Sequence, residues 1–206
     1  VSWFGWPIST SHTTVGAAIG YGLTYGGLQT INWDCLSSIF WSWLLSPLIG
    51  LFASYMGCLT LNYFTKAESY LNKVEEKTWL YLLLFNALLM EFWQGANNVA
   101  NASAFLSITF PDPFITRTVG GIGIAIGLFI LGRRVIFSAG VRITRLPTSA
   151  AFISQLMIVL INAVGTIMGL PLSGTHISVG CLLGAGLAMK TKINYRVVKY
   201  VILVWF

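Results

Sequence analysis

Apolar residues run through Cys35–Phe64, Thr78–Phe110 and Thr116–Phe137 with few interruptions. Each run exceeds the ~20 helical residues needed to cross a bilayer's hydrocarbon, so each predicts a membrane helix. The uncharged stretch Leu146–Met189 is too long for a single crossing. Basic clusters flank it on both sides, which puts both its ends on one face of the membrane. It must therefore enter and return. The turn is Gly169–His176, rich in Gly, Pro and small polar residues, and the limb after it, Ile177–Met189, is short. The pattern predicts a re-entrant hairpin with its tip at mid-membrane depth. Polar backbone is tolerable there only where protein or a watery cavity receives it.

That turn occurs twice. Gly5-Trp6-Pro7-Ile8-Ser9-Thr10-Ser11-His12 returns as Gly169-Leu170-Pro171-Leu172-Ser173-Gly174-Thr175-His176. Matches continue at Gly16 with Gly180 and at Gly20 with Gly184, and Trp43 pairs with Trp205. A duplicated Pro-x-Ser-x-x-His turn in an apolar chain is the pattern of an internally repeated transporter.

Composition agrees. Hydrophobic residues make up 56% and charged residues 9% of the chain, against ~25% charged in soluble domains, so this is an integral membrane protein. The net charge of +6 comes from clusters in the loops, which argues for membrane topology and against nucleic-acid binding. With Arg133–Arg145 and Lys190–Lys199 inside, tracing the spans backwards puts Lys66–Lys77 inside as well and Arg117 outside. Three crossings then separate the two turn motifs, so the repeats should be inverted. The expected organisation is 1–64 as the end of a first repeat, 65–77 as a short cytoplasmic linker and 78–206 as a second repeat. The expected fold is an all-α polytopic transporter with re-entrant hairpins and a discontinuous helix, read as a fragment of a longer chain. Cys35, Cys58 and Cys181 lack metal-ligand spacing and read as small core residues.

A third polar site interrupts the second long span: Glu91-Phe92-Trp93-Gln94-Gly95-Ala96-Asn97-Asn98-Val99-Ala100-Asn101-Ala102. Such side chains are costly in hydrocarbon unless they face a cavity or each other. Gly95 and the asparagines are expected to break the helix. Carbonyl and Asn oxygens suit a dehydrated cation, while helix N-termini and hydroxyls suit an oxyanion. Ser9/His12 and Ser173/His176 do not read as nucleophile and base, because no carboxylate is placed to orient either His. No enzymatic activity is expected.

Gly95–Ala102 resembles the G-[AS]-N-D-V-A-N-A signature of the inorganic phosphate transporter (PiT, sodium/phosphate symporter) family, and the two turns resemble its P-[VI]-S-[TG]-T-H tips. Gly120–Ile124, Gly132–Val135 and Thr144–Phe152 are also similar to its second half. The resemblance implies a transporter roughly twice this length that imports inorganic phosphate with a coupling cation, Na⁺ in preference to H⁺. It implies phosphate binding by Ser9, Thr10, Ser11, Ser173, Thr175, Asn97 and Asn101. Cation binding is expected at Asn97, Asn98 and Asn101, with Glu91 added from its place in this sequence. His12, His176 and Gln155 are expected to stabilise the tips. Asn98, Gln155 and Gln94 stand where family members usually carry Asp, Glu and His, and Glu91, seven residues before Asn98, is expected to compensate. The alternatives are transport of another oxyanion such as sulfate, or a non-transporting phosphate sensor. No cofactor is expected, and no metal beyond the transported cation. The expected partners are phosphate, Na⁺ or H⁺, the lipid bilayer and a second copy in a homodimer. The plasma membrane is the favoured location, with an organelle membrane as the alternative.

Overall fold

The computed structural model describes residues 9–67, 74–139 and 143–205. The opening of the first motif, including Pro7, and the basic residues Lys73 and Arg142 lie outside the described residues. The described chain is helical: α1 (Thr10–Gly26), a 3₁₀ turn (Leu28–Thr30), α2 (Trp33–Ala67), α3 (Glu76–Thr109), α4 (Pro113–Ala139), α5 (Thr148–Ile167), α6 (Gly174–Ala188) and α7 (Tyr195–Trp205). Its one extended pairing is a bridge between Thr144 and Ile193.

Local chemistry sets the ends of these helices. Ser9 and Ser173 cap α1 and α6, each hydroxyl accepting the N–H of the histidine three residues on, at 3.3 and 3.4 Å. Asp112 Oδ1 accepts the Phe114 N–H at 2.8 Å, just inside the start of α4 at Pro113. After α5 the chain turns through Gly169 at φ 69°, a left-handed conformation that favours glycine. Trp33–Thr65, Pro113–Ile130 and Thr148–Ile167 are each long and apolar enough to cross a membrane. Much of their surface is bare hydrocarbon: Phe129 is 92% exposed and Ile167 75%. Apolar surface on that scale marks a membrane protein.

One expectation is corrected here. α3 runs unbroken from Glu76 to Thr109 through Gly95 and all three asparagines. A glycine inside a helix costs only about 1 kcal/mol. The Asn97, Asn98 and Asn101 side chains bond to the two tips rather than to their own main chain, so nothing competes with the helical ladder.

The core is built around α6. A Cβ at Gly180 would overlap the Pro47 carbonyl, and one at Gly184 the Leu51 carbonyl. Gly50 returns the contact, its Cβ position lying 3.0 Å from the Ile177 carbonyl. Small residues on both helices let the two backbones touch. Cys58 joins Ala150, Ala185 and Ala188 in one buried cluster, and Asn62 reaches Met189. α2 therefore runs beside α6 in the same direction, from Trp43 at the second tip to Asn62 at the end of α6. Trp43 lies ten residues, or about 15 Å, into α2. α1 must connect to that earlier part of α2, so α1 and α6 leave their tips in opposite directions.

Candidate functional site

The two tips meet beside α3. Three successive carbonyls of the second tip are each held by a different helix. Leu170 accepts from Asn97 Nδ2 at 3.2 Å, Pro171 from the Trp43 indole at 2.8 Å, and Leu172 from Ser11 Oγ at 2.9 Å. The first tip bonds α3 directly. Thr10 Oγ1 donates to Asn98 Oδ1 at 3.3 Å, and Asn101 Nδ2 donates to Ser11 Oγ at 3.2 Å and to Asn97 Oδ1 at 3.4 Å. Ser173 Oγ and Thr175 Oγ1 pair at 3.0 Å. Ser9, Ser11, Ser173 and Asn97 are buried, whereas Thr10 is exposed. Hydroxyls, amide groups and two capped helix N-termini thus converge on one place, an arrangement suited to an anion.

A clasp of four rings holds the tips together. His12 packs on Trp43 and His176 on Trp205, each at a centroid distance of 3.7 Å, and the two histidines meet edge to face at 4.6 Å. The main-chain contacts are exchanged. His176 Nδ1 bonds the Trp43 carbonyl at 3.3 Å, and the backbone partner of His12 is Trp205. A carbonyl can only accept, so the His176 ring proton sits on Nδ1. Pro47 explains why that carbonyl lacks a helical N–H partner, although Ser46 Oγ also donates to it at 3.4 Å. The proline lies inside α2 and has no N–H to return to the residue four positions earlier, which is Trp43.

Most of the expected residues come together here, and two do not. Gln155 is not at a tip. It lies twelve residues before the end of α5, about 18 Å along the helix, with Nε2 3.9 Å from Met90 Sδ and Oε1 buried without a partner among the described residues. Its spacing fixed a face of α5 but not a depth. Glu91 shares a stripe of α3 with Asn98 but is exposed and about 10 Å farther along the axis. Sequence reasoning missed the structural part of Gln94, whose amide lies over Gly174, 2.6–2.7 Å from where a Cβ would stand. The missing side chain at Gly174, opposite Thr10 in the repeat, was the available signal. It likewise missed Pro47, a proline inside a membrane helix four residues after a repeated tryptophan.

Comparison with known proteins agrees with this geometry. The chain matches the Phosphate transporter family over residues 1–80 and 64–206. A Chlamydia pneumoniae protein named as a phosphate permease is 30% identical over all of this chain and 71% of its own length. One from Thermococcus kodakarensis, also named as a phosphate permease, is 27% identical over 98% of this chain and 69% of its own length. The Chlamydia alignment extends over 304 residues, more than the 206 of this chain, so that relative carries additional residues inside the matched span. The two family matches overlap over residues 64–80, across the α2–α3 link. A solved structure titled "The sodium-dependent phosphate transporter" superposes with a TM-score of 0.80 at 23% identity, over 98% of this chain and 70% of that one; it supports the fold. These relatives are permeases and transporters, not enzymes. An apolar helical chain whose duplicated Ser-capped tips meet an asparagine-rich helix, and whose whole length matches these proteins, belongs to the Phosphate transporter family.

Proposed function

We propose that this chain forms part of a multi-pass secondary transporter that imports inorganic phosphate with a coupling cation, Na⁺ in preference to H⁺. The observation that carries the reading is the convergence of both Ser-capped tips on Asn97, Asn98 and Asn101. Ser9, Thr10, Ser11, Ser173 and Thr175, with Asn97 and Asn101, are the phosphate ligands in this reading. Ser11 and the asparagines now bond one another and the tip carbonyls, and phosphate would take over those hydroxyls and amides. The asparagine oxygens hold the cation, with bound phosphate as its counter-charge, and Glu91 acts on it at a distance along α3. The opposite exits of α1 and α6 and the exchanged His–Trp contacts support inverted repeats, which would rock around this site.

Uptake by the full-length protein in proteoliposomes tests the proposal, with phosphate against sulfate and Na⁺ against choline. Ser173→Ala removes one hydrogen bond to a charged group, worth roughly 1.5–3 kcal/mol. The half-saturating phosphate concentration should rise about ten- to over a hundredfold, and by more than in His176→Gln. Phosphate uptake that is indifferent to Ser173→Ala, at normal protein levels, would remove the tip from the site.

A further inference from the structure

A second polar place lies away from the tips, where the segment before α5 meets the α6–α7 connection. The Thr144–Ile193 bridge joins the two, and the Asn194 N–H donates to the Ile143 carbonyl at 2.9 Å. Ile143 is buried with Val179, Val198 and Val201, which ties this floor to α6 and α7. Here lies a cavity of about 540 Å³, lined by Arg145, Lys192 and Asn194 together with Ile143, Ile193 and Tyr195. Neither Arg145 nor Lys192 has an ion-pair partner among the described residues. The acid that reaches this segment, Glu76, accepts from Thr148 Oγ1 at 3.4 Å and pairs with neither cation. Two cations and apolar side chains thus line one cavity, at the ends of membrane helices.

We propose that this cavity binds the phosphate group of an anionic phospholipid. The charge is right for a phosphodiester or phosphomonoester, and the apolar lining residues Ile143, Ile193 and Tyr195 suit the glycerol and first acyl carbons. The volume also suits a headgroup. On the positive-inside reading the cavity opens on the cytoplasmic side, where anionic lipids collect and where basic pockets between membrane helices take headgroups. Such a lipid would brace the start of α5 against the end of α6, the two limbs that carry the second tip.

The test uses the full-length protein, so any further segment of the chain that fills the cavity is present. Protein in nanodiscs of phosphatidylcholine with a minor fraction of phosphatidylglycerol is examined by native mass spectrometry for retained lipid. Wild type should retain phosphatidylglycerol over phosphatidylcholine. The double variant Arg145→Gln/Lys192→Gln should bind it about thirtyfold more weakly, from roughly a fivefold loss per charge. The exchange Arg145→Lys/Lys192→Arg should keep the preference, which separates loss of charge from misfolding. In wild type alone, added phosphatidylglycerol should raise the melting temperature, whereas millimolar inorganic phosphate should not displace the lipid. Equal retention of both lipids by wild type, or an unchanged preference in the neutral double variant, overturns the proposal. Displacement by inorganic phosphate also overturns it, making the cavity a free-phosphate site. Because none of these readouts is uptake, the outcome is independent of whether the tips transport phosphate.

Discussion

The two tips carry nearly the same sequence and form the same local structure, yet their surroundings differ. Ser9 and Ser173 cap their helices alike, and each histidine packs on a tryptophan. The helices that follow diverge. α6 has nine buried residues, whereas α1 buries only Ser11. The difference lies in the partners: α6 sits between α2 and α5, while the described residues leave α1 largely open. A short motif therefore fixes a cap and a turn, and the helices around it decide whether the tip is rigid. The second tip is held at three carbonyls, by Asn97, Trp43 and Ser11; the first tip supplies one of those donors, the Ser11 hydroxyl.

The equivalent glycines give the largest expected contrast. Gly180 and Gly184 lie against the Pro47 and Leu51 carbonyls, while their counterparts Gly16 and Gly20 have nothing among the described residues within 4 Å of a Cβ. Gly180→Ala forces two backbones apart and should cost about 3 kcal/mol, the upper end of overpacking. Gly16→Ala should be neutral or stabilise by up to ~1 kcal/mol through helix propensity. Thermal denaturation of the purified full-length protein measures both. Equal destabilisation by the two would break the comparison and mean that another helix of the full-length protein covers α1.

Gly174 against Thr10 gives the next contrast. The second tip lacks the hydroxyl that Thr10 offers Asn98, because the Gln94 amide already fills that space. Gly174→Thr should cost about 1–3 kcal/mol by overpacking. Gln94→Ala in the same chain should recover most of it, since the obstacle is the end of a flexible side chain. Stability of the two variants decides the matter: without recovery, the main chain at Gly174 is the constraint and Gln94 is a bystander.

How much of this was legible follows from what sequence encodes. The membrane helices, both Ser caps and the turn at Gly169 rest on local chemistry and hydropathy, and their boundaries fall within a few residues of the expected ones. That Ser9–Ser11 and Ser173–Thr175 would share a site followed from their duplication. The continuity of α3 was not legible, because it depends on Asn97, Asn98 and Asn101 finding partners some 70 to 90 residues away in sequence. Depth was not legible either: spacing put Glu91 and Gln155 on a stripe, but only the crossing of helices shows how far each lies from the tips. The four-ring clasp needs both a crossing and a carbonyl freed by Pro47, and hydropathy encodes neither.

The paired tryptophans give the smallest contrast and the most specific one. Trp43 and Trp205 occupy equivalent places in the repeats and each stacks on a histidine at 3.7 Å. Their indole N–H groups differ. That of Trp43 donates to the Pro171 carbonyl at 2.8 Å, whereas that of Trp205 is buried without an acceptor among the described residues. Phe keeps an aromatic face and removes the donor in both. Trp43→Phe should therefore cost about 0.5–1.5 kcal/mol for the lost bond, and the loosened tip should raise the half-saturating phosphate concentration. Trp205→Phe relieves a buried unpaired donor, so part of its packing loss should be recovered and phosphate affinity should stay near wild type. Measuring denaturation and uptake together separates donor from ring. A smaller effect at Trp43 than at Trp205, in both assays, would mean that ring packing rather than the grip on Pro171 governs the second tip, and the asymmetry argued between the two tips would fail at its center.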